Sequence, residues 1–347
     1  MNSKKNVTAQ DVANLAGVSR AAVSRALSEN GSIAPDTKTK VLAAAEALGY
    51  QVNFLAQGLN RKRSQLIGVV VTRISDPFRS SLLEGLISVI QDRGYQAMVT
   101  EIRSEQELED TMRRFTQFRV SGVVVTSGQP PAALVAECVQ YKIPVVGINR
   151  QQNIPFVDFV CSNNQQGATL VAQHFQEHQL TSLGWLNYKG STWSGVRRGE
   201  AFIEAITKDA ATVMFIEADH DGYQGGFDTA HKIDLKRLPK GIFSANAQLA
   251  CGFLDGMRNR GLAAPQDFHL IGFDNTPQTA QFSYQLTTLH QDIFALCHNT
   301  LDCLESRSIK PNLPARVIEI PVSMVIRNSS PSPLDENLSI NQQGRIS

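Results

Sequence analysis

The sequence predicts an N-terminal three-helix domain of the helix-turn-helix type, followed by a body with two α/β lobes. The chain has 347 residues, more than the roughly 100–200 residues of one typical domain. Before Tyr50, short helical patterns of apolar residues are separated by glycines. From Leu66 onward, apolar strand patterns alternate with helical patterns. The change of pattern predicts separate domains with different folds.

The composition is that of a globular protein without a membrane segment. Apolar residues make up 42% of the chain and charged residues 19%, and no run of about 18 apolar residues occurs. The opening stretch MNSKKNVTAQDVANL carries two lysines but lacks the apolar core of a secretory signal peptide. We therefore expect a cytoplasmic protein with no membrane partner.

The cysteines are scattered and form no CxxC pair. In a cytoplasmic protein, such isolated cysteines are expected to be buried, reduced thiols. No His/Cys group has the spacing of metal ligands, so we expect neither a metal nor another cofactor. The five cysteines are Cys138, Cys161, Cys251, Cys297 and Cys303.

Charge is unevenly distributed along the chain. Residues 1–65 contain nine Lys or Arg and four Asp or Glu, a net charge of +5, whereas the remainder carries −4 and the whole chain +1. A basic segment joined to a mildly acidic body suggests that the N-terminal part meets a polyanion. A solvated basic arm would give the same count.

Three helices are predicted in the basic segment. In the stretch DVANLAGVSRAAVSRAL, Thr8 is a good N-cap with Asp11 three residues later, Gly17 permits a tight turn and Ser19 caps a second helix. A third helix lies in APDTKTKVLAAAEALGY, where Pro35 suits the first turn. The apolar positions expected to form a shared core are Val12, Leu15, Val23, Leu27, Val41 and Leu48.

The outer side of the second helix is polar and basic. It carries Arg20, Ser24 and Arg25, with Ala21 among them. Three such helices make a helix-turn-helix domain, whose second helix can enter the major groove of DNA. A plain three-helix bundle is the alternative interpretation.

The stretches DVANLAGVSRAAVSRAL and VLAAAEALGYQVNFLAQGL resemble the DNA-binding head of the lactose-repressor (LacI/GalR) family. The resemblance implies that Arg20 and Ala21 read base edges and that Arg25 takes the place of a later base-reading arginine. A bidentate arginine–guanine pair is worth roughly 1–3 kcal/mol, whereas Ala21 offers only a methyl contact. The candidate DNA-contacting residues are Thr8, Ser19, Arg20, Ala21, Ser24, Arg25, Thr37, Asn53 and Leu59.

The segment NFLAQGLNRKRS resembles the hinge of that family. The resemblance implies that a short helix from each of two subunits enters the minor groove, with Asn53 at its start and Leu59 wedging a base step. Val52 replaces the usual proline, and Gly58 inside the helix costs about 1 kcal/mol relative to alanine. We expect the helix to form only on DNA and against its twin. A flexible linker is the alternative, and both can apply in different states.

The body consists of repeated strand–helix–strand units from LIGVVVT onward. Such units predict parallel sheets with helices on both faces. The pattern restarts at the helix GATLVAQHFQEH, so two similar lobes are expected. The resemblance implies a periplasmic-binding-protein-like fold, in which late segments return to the first lobe and a ligand occupies the cleft between lobes.

Ligands of open parallel sheets bind beyond the carboxyl ends of the strands. The resemblance assigns the polar groups of the effector to Arg198, Asn246 and Asp274, where a carboxylate can accept sugar hydroxyls and the other two add hydrogen bonds. Alternatives stay open: Arg198 could pair with a surface acid, Asp274 could cap the next helix, and Trp193 and Tyr223 could be ordinary packing. The candidate effector-binding residues are Ser75, Phe78, Trp193, Arg198, Tyr223, Asn246, Asp274 and Ile293.

Two positions near the predicted cleft depart from the family pattern. Ala247 stands where an aspartate usually follows the asparagine, and Asn163 stands where a DNxxGA-type motif has its aspartate. These departures put family-typical lobe contacts in doubt and predict a less acidic pocket.

Together these observations predict a sequence-specific transcriptional repressor rather than an enzyme. We expect a homodimer on a near-palindromic double-stranded DNA operator, with an operator affinity controlled by a sugar or sugar-derived small molecule. The predicted domains are a helix-turn-helix domain (1–52), a hinge (53–65), an effector-binding and dimerisation domain (66–328) and a disordered tail (329–347).

A periplasmic binding protein and a cytosolic sugar enzyme are the competing classes. The missing signal peptide and the basic head argue against the first. Against the second, the sequence has no P-loop, GxSxG or HExxH motif and no GxGxxG following a strand. The stretch QGGFD is too weak a match to count as a nucleotide-binding loop.

Overall fold

The computed structural model describes residues 7–27, 32–50, 64–126, 132–150, 154–206 and 212–332. The chain divides into two compact units, Met1–Gln65 and Leu66–Ser347, and each unit is described by itself. In the described ranges, no helix has the length and apolar character needed to cross a lipid bilayer.

The described residues of the first unit form three helices: α1 Ala9–Ala16, α2 Arg20–Ala26 and α3 Pro35–Leu48. The predicted capping residues define their starts. The backbone N–H of Thr8 donates to the Asp11 carboxylate at 2.9 Å, and its hydroxyl accepts from the Asp11 N–H at 3.3 Å. Ser19 Oγ accepts from the Ala22 N–H at 3.2 Å. Gly17 ends α1 with a φ of 65°, which a glycine adopts without strain.

The core of this unit is built mainly from valines and alanines. Val12, Val23 and Val41 are fully buried, and Leu27 and Leu48 pack partly buried against them. The prediction that Leu15 belongs to this core is wrong, because its side chain is 57% exposed. Small side chains fill the space between the closely packed helices instead: Ala13, Ala22, Ala26, Ala44 and Ala45.

The first lobe of the second unit is built on a six-stranded parallel sheet. The strands are β1 Leu66–Val71, β2 Gln96–Glu101, β3 Gly122–Val125, β4 Val145–Ile148, β5 Val157–Ser162 and β11 Val317–Ile320. Their order in the sheet is β11-β5-β4-β3-β1-β2. Helices cover both faces, so the central strands are nearly continuous buried apolar runs. Helices α4 Pro77–Asp92 and α11 Ile293–Ile309 cover one face, and α5 Glu105–Gln117 and α6 Ala132–Gln140 cover the other.

The second lobe repeats this architecture. Its strands are β6 Ser182–Tyr188, β7 Thr212–Ala218, β8 Gly241–Ser244, β9 His269–Asp274, β10 Thr287–Gln291 and β12 Val322–Val325. Their order in the sheet is β12-β10-β9-β8-β6-β7, and β12 is antiparallel to β10. Helices α7 Asn164–Glu177 and α8 Trp193–Ile206 cover one face, and α9 Tyr223–Lys232 and α10 Ala247–Asn259 cover the other.

The chain passes between the two lobes three times. The crossings connect β5 to α7, β10 to α11 and β11 to β12, each through a single residue. The return of late segments to the first lobe is therefore confirmed, since β11 pairs with β5. The scattered cysteines are all buried and free, as predicted.

Strand β5 is absent from the predicted elements because Asp158 interrupts its apolar run. The Asp158 carboxylate is fully buried and accepts hydrogen bonds from Arg307 Nη2 at 2.5 Å and Arg316 Nη2 at 2.8 Å. Arg307 lies on α11, and Arg316 immediately precedes β11. A buried carboxylate needs such partners. This ion-pair cluster therefore ties the returning segments to β5.

The predicted disordered tail begins too early. Ser329 and Ser330 are 2% and 0% exposed. The Ser329 hydroxyl donates to the Leu270 carbonyl at 2.6 Å, and the Ser330 hydroxyl lies 2.7 Å from His174 Nε2. The polar sequence suggested disorder, but each hydroxyl is satisfied by a buried partner, so burial costs little. Residues 333–347 of the predicted tail lie outside the described residues.

Helices α9 and α10 approach each other at backbone distance. A Cβ placed on Gly252 would lie 1.8 Å from the Tyr223 carbonyl oxygen, and one on Gly226 would lie 2.0 Å from the Leu249 carbonyl oxygen. The QGGFD stretch is therefore a helix-packing motif. Its glycines are needed because backbone atoms of the neighbouring helix occupy the space of a side chain.

This packing predicts that Gly252→Ala destabilises the body by about 1–3 kcal/mol or more, because the gain in helix propensity is smaller than the cost of overpacking. Gln224→Ala, on the exposed side of α9, is the matched control and should change stability by less than about 0.5 kcal/mol. Urea denaturation measures both. Wild-type stability of Gly252→Ala would contradict the close helix approach.

Candidate functional site

A cavity of about 240 Å³ lies between the two lobes of the body. Its walls come from residues at or just beyond the carboxyl ends of β1, β3, β4, β6, β7, β8, β9 and β10, and from the first turns of α4 and α8. This is the edge of the sheets at which parallel α/β folds bind ligands.

Five of the eight predicted effector-binding residues line the cavity: Phe78, Trp193, Arg198, Asn246 and Asp274. The other three do not. Ser75 is an exposed loop residue, and the Tyr223 hydroxyl donates to Asp255 at 2.9 Å beside α10. Ile293 packs against the first-lobe core. For Tyr223 the structure favours the packing alternative.

Arg198 is held in the second-lobe wall by buried partners. Its Nε donates to Asn164 Oδ1 at 2.9 Å, and its Nη1 donates to the Ala245 carbonyl at 2.7 Å. The guanidinium lies 3.4 Å from the centre of the Phe273 ring, and Nη1 is 3.7 Å from Asp274 Oδ1. Since Arg198 is only 5% exposed, the alternative of a surface ion pair does not apply.

Asp274 ends β9 with its carboxylate in the cavity wall. Its Oδ1 accepts a hydrogen bond from Gln291 Nε2 at 2.6 Å. Burial raises the pKa of Asp274 to about 6, although the nearby Arg198 acts in the opposite direction. Asp274 does not cap the short helix Pro277–Ala280, whose N-cap is Thr276. The Asp274 carboxylate can therefore accept hydrogen bonds from a ligand, and its charged form is unfavourable in the buried site without one.

Gln291 connects this carboxylate to the chain crossings. It is 1% exposed, and its Oε1 accepts from Ser162 Oγ at 2.6 Å. Ser162 ends β5 at the first crossing, and Gln291 ends β10 at the second. A hydrogen-bond chain therefore runs from the crossings through Gln291 to Asp274.

Direct contacts bridge the lobes beside the cavity. Arg73 Nη1 of the first lobe lies 2.6 Å from Asp221 Oδ2 of the second, and Asn246 Nδ2, within the second lobe, positions Asp221 by donating to its Oδ1 at 2.8 Å. Ser194 Oγ donates to the Asn149 carbonyl at 2.8 Å. These contacts hold the lobes together in the present arrangement.

Several residues that line the cavity were not predicted from the sequence. In two segments that were recognised as strand ends a neighbouring residue was chosen: Ser75 instead of Asp76 and Arg79, and Ile293 instead of Gln291. Further missed residues are Asn149, Arg150, Tyr188, Thr192, Ser194 and Asp221. Polarity next to a predicted strand end was the signal that could have identified them.

The predicted DNA-contacting residues of the first unit cluster on α2. Arg20, Ala21, Ser24 and Arg25 are all exposed, whereas the opposite side of α2 is buried. Thr8 and Ser19 are helix caps, and Thr37 is half-buried in the first turn of α3. Asn53 and Leu59, the predicted hinge residues, lie outside the described residues. A basic helix face of this kind can enter a major groove.

The raised pKa of Asp274 predicts a pH-dependent stability. Between the ordinary value of 3.8 and about 6, the folded state keeps a proton that the unfolded chain releases, so stability falls as pH rises through this window. Asp274→Asn removes this loss. Relative to wild type, the variant should therefore gain about 1–3 kcal/mol between pH 4 and pH 7. Urea denaturation of both proteins without ligand measures the difference, and a difference that stays constant with pH would contradict it.

Comparisons with known proteins fit both units. The family model "Bacterial regulatory proteins, lacI family" matches residues 8–53, and the model "Periplasmic binding protein-like domain" matches residues 172–330. The chain is 26% identical to catabolite control protein A of Priestia megaterium over 333 residues, covering 94% of this chain and 99% of that protein. It is 28% identical to the ribose operon repressor of Halalkalibacterium halodurans, covering 93% and 97%.

Solved structures show the same fold. The lac repressor dimer bound to operator and the anti-inducer ONPF superposes with a TM-score of 0.86 at 24% identity, covering 94% of this chain and all of that one. A LacI family regulator from Enterococcus faecalis V583 with bound ribose superposes with a TM-score of 0.67 at 25% identity, covering 77% and 99%. The chain therefore has a lacI-family helix-turn-helix domain followed by a periplasmic-binding-protein-like domain, and it is similar over nearly its whole length to these regulators.

Proposed function

We propose that this protein is a sequence-specific transcriptional repressor whose operator affinity is controlled by a small sugar-type effector in the cleft. Residues 1–52 would contact DNA, 53–65 would form the hinge, and 66–328 would bind the effector and form the dimer. The protein would act in the cytoplasm, where it would meet its operator DNA. The observation that carries the proposal is the combination of an exposed basic recognition helix with a polar, charged cleft in one chain.

The recognition helix α2 has one buried apolar side and one exposed basic side, and this arrangement supports DNA binding. Val23 and Ala26 anchor α2 in the core, while Arg20 and Arg25 extend into solvent. An arginine presented from a helix in the major groove reads guanine by two hydrogen bonds. Sequence-specific repressors are also found among the relatives, including a PurR of Mannheimia succiniciproducens that is 26% identical over 329 residues.

The cleft supports control by a ligand rather than catalysis. It offers a buried carboxylate, guanidinium groups and amides beside Phe78 and Trp193, a set that suits a hydroxyl-rich ring with an apolar face. Solved relatives contain bound ribose or cellobiose. Among the described residues, no group of three or more His, Cys, Asp or Glu side chains could hold a metal ion. We propose a regulator and not an enzyme.

A homodimer is the proposed assembly. One recognition helix reads only a few base pairs, and two-fold symmetry doubles the site into a near-palindrome. Phe282 supports a contact between the two subunits of the dimer, because this large apolar side chain is 98% exposed in the isolated chain. Such exposure is unfavourable unless another surface covers it.

Arg25→Ala tests the DNA-binding role. Loss of a bidentate base contact should cost about 1–3 kcal/mol of operator affinity and leave binding to random DNA nearly unchanged. Lys240→Ala, on the body, is the control and should match wild type. The operator would be selected from random DNA with the wild-type protein, and each titration repeated with sugars that bind it. Equal losses on operator and random DNA, or no effect of any bound sugar on operator affinity, would contradict the proposal.

Phe282→Asp tests the dimer. A carboxylate in an apolar contact is strongly unfavourable, so we expect a monomer at concentrations where the wild type is a dimer, together with weaker operator binding. Phe215→Asp changes another exposed phenylalanine, 67% exposed on the edge strand β7, and should stay dimeric. Sedimentation or light scattering measures the assembly. A dimeric Phe282→Asp variant would place the contact elsewhere.

A further inference from the structure

Arg79 is a cavity-lining guanidinium with an unusual set of partners. It lies in the first turn of α4 and is half-buried. Its Nη1 donates to the carbonyl of Thr72 at 3.1 Å and also to the Thr72 hydroxyl. Among the residues that the structure describes, no carboxylate forms an ion pair with it. A guanidinium has five N–H donors, and these two contacts involve only Nη1.

The carboxylates of the cavity are engaged elsewhere. Asp221 is bound by Arg73 and Asn246. Asp76, the acid nearest to Arg79 in the chain, accepts the backbone N–H of Arg79 at 3.0 Å and so caps α4 rather than pairing with the guanidinium. Asp274 lies in the opposite lobe beside Arg198. The charge of Arg79 is therefore left without an opposite charge in direct contact.

The surroundings disfavour this positive charge. Burial lowers the pKa of Arg79 and the neighbouring Arg73 lowers it further, and the opposite effects of Asp76, Tyr188 and Asp221, none of which pairs directly with the guanidinium, do not offset this. A partly buried cation is stabilised by a counter-ion that forms charge-assisted hydrogen bonds, and carboxylate and phosphate groups match the planar guanidinium. A ligand with such a group would provide Arg79 with the counter-ion that the neighbouring residues of the protein do not provide.

The cavity also limits the size and shape of the ligand. Its volume of about 240 Å³ lies below the roughly 300–1,000 Å³ of most ligand pockets, which favours one sugar ring over two. Arg79 belongs to the first lobe, whereas Arg198, Asn246 and Asp274 belong to the second. A ligand that contacts both walls needs hydroxyl groups for the second lobe and an anionic group for the first.

We infer that the effector of this cleft is an anionic monosaccharide derivative, a sugar acid or sugar phosphate, whose carboxylate or phosphate is bound by the guanidinium of Arg79. The inference rests on the proposed function, because it names the ligand class of the same cleft. An anionic ligand would also distinguish this chain from solved relatives with bound ribose or cellobiose, because ribose and cellobiose are neutral sugars.

The test is calorimetric titration of the full chain with matched sugars: D-glucose, D-gluconate and D-glucose 6-phosphate, then D-ribose, D-ribonate and D-ribose 5-phosphate. In at least one set, an anionic member should bind about 10- to 100-fold more tightly than its neutral parent, as expected for hydrogen bonds to a charged group. Comparison of the carboxylate and phosphate members distinguishes the two sources of charge. Inorganic phosphate and acetate alone should bind weakly, because they lack the hydroxyl groups.

Variants assign the preference to Arg79. Arg79→Gln should remove the 10- to 100-fold advantage, so that the anionic sugar and its neutral parent bind the variant with similar affinity, whereas Arg79→Lys should keep part of the advantage. The control Arg197→Gln changes an exposed arginine that pairs with Glu200 and should behave as wild type. Melting of each unliganded variant checks that it folds. A loss of anion binding in Arg79→Gln that Arg79→Lys restores supports the inference even if the glutamine variant melts earlier.

Other outcomes overturn the inference. They are a neutral sugar binding as tightly as its acid or phosphate, an Arg79→Gln variant with unchanged affinity for the anion, or no binding by any anionic sugar. Operator titration separates this inference from the proposed function. If a neutral sugar alone changes operator affinity, the repressor function stands and the anionic effector falls. If an anionic sugar binds through Arg79 without changing operator affinity, the ligand class stands and the proposed control of DNA binding falls.

Discussion

The body depends on the three chain crossings being held together between its lobes. Ser162 and Gln291, which end the strands before two of the crossings, share a buried side-chain hydrogen bond of 2.6 Å. At the third crossing, the Ile320 carbonyl accepts from the Asn163 N–H at 2.8 Å. Each crossing is a single residue between regular elements, so the lobes can change their angle only by bending there. Every cavity wall is positioned relative to this junction.

A ligand that contacts Asp274 would act on the same junction through Gln291. The side chain donates to Asp274 in the cavity and accepts from Ser162 at the crossing, so a change in the charge or contacts of Asp274 alters a bond that holds the crossings. The lobes are already bridged by Arg73 with Asp221 and by other direct contacts. A ligand shifts the lobe arrangement only through its different affinity for each arrangement. One that spans both walls adds its contacts to the bridged state.

The sequence allowed the order of elements to be predicted because buried parallel strands are long apolar runs. It failed where a polar residue is buried with a partner far away in the chain. Asp158 concealed β5, since its partner Arg307 lies on α11, and Ser330 suggested disorder although His174 and His269 satisfy its hydroxyl. In the cleft, five of the eight chosen residues line the cavity, but after β1 and β10 a neighbouring residue was chosen in place of one that faces it. Which residue faces the cavity depends on the local turn after each strand, and Arg79 was missed for this reason.

The position of Arg79 connects the cleft with the start of the body. The body begins at Leu66, the first residue of β1, and α4 with Arg79 is the next element along the chain. Thr72, which accepts both hydrogen bonds from Arg79, follows β1 directly. A ligand that draws the guanidinium into the cavity competes with these bonds at one end of a short strand, whose other end continues covalently toward residues 53–65. The strand is paired along its whole length with β2 and from Ile67 to Val70 with β3. β1 is therefore the regular element that directly joins the cleft to the start of the body.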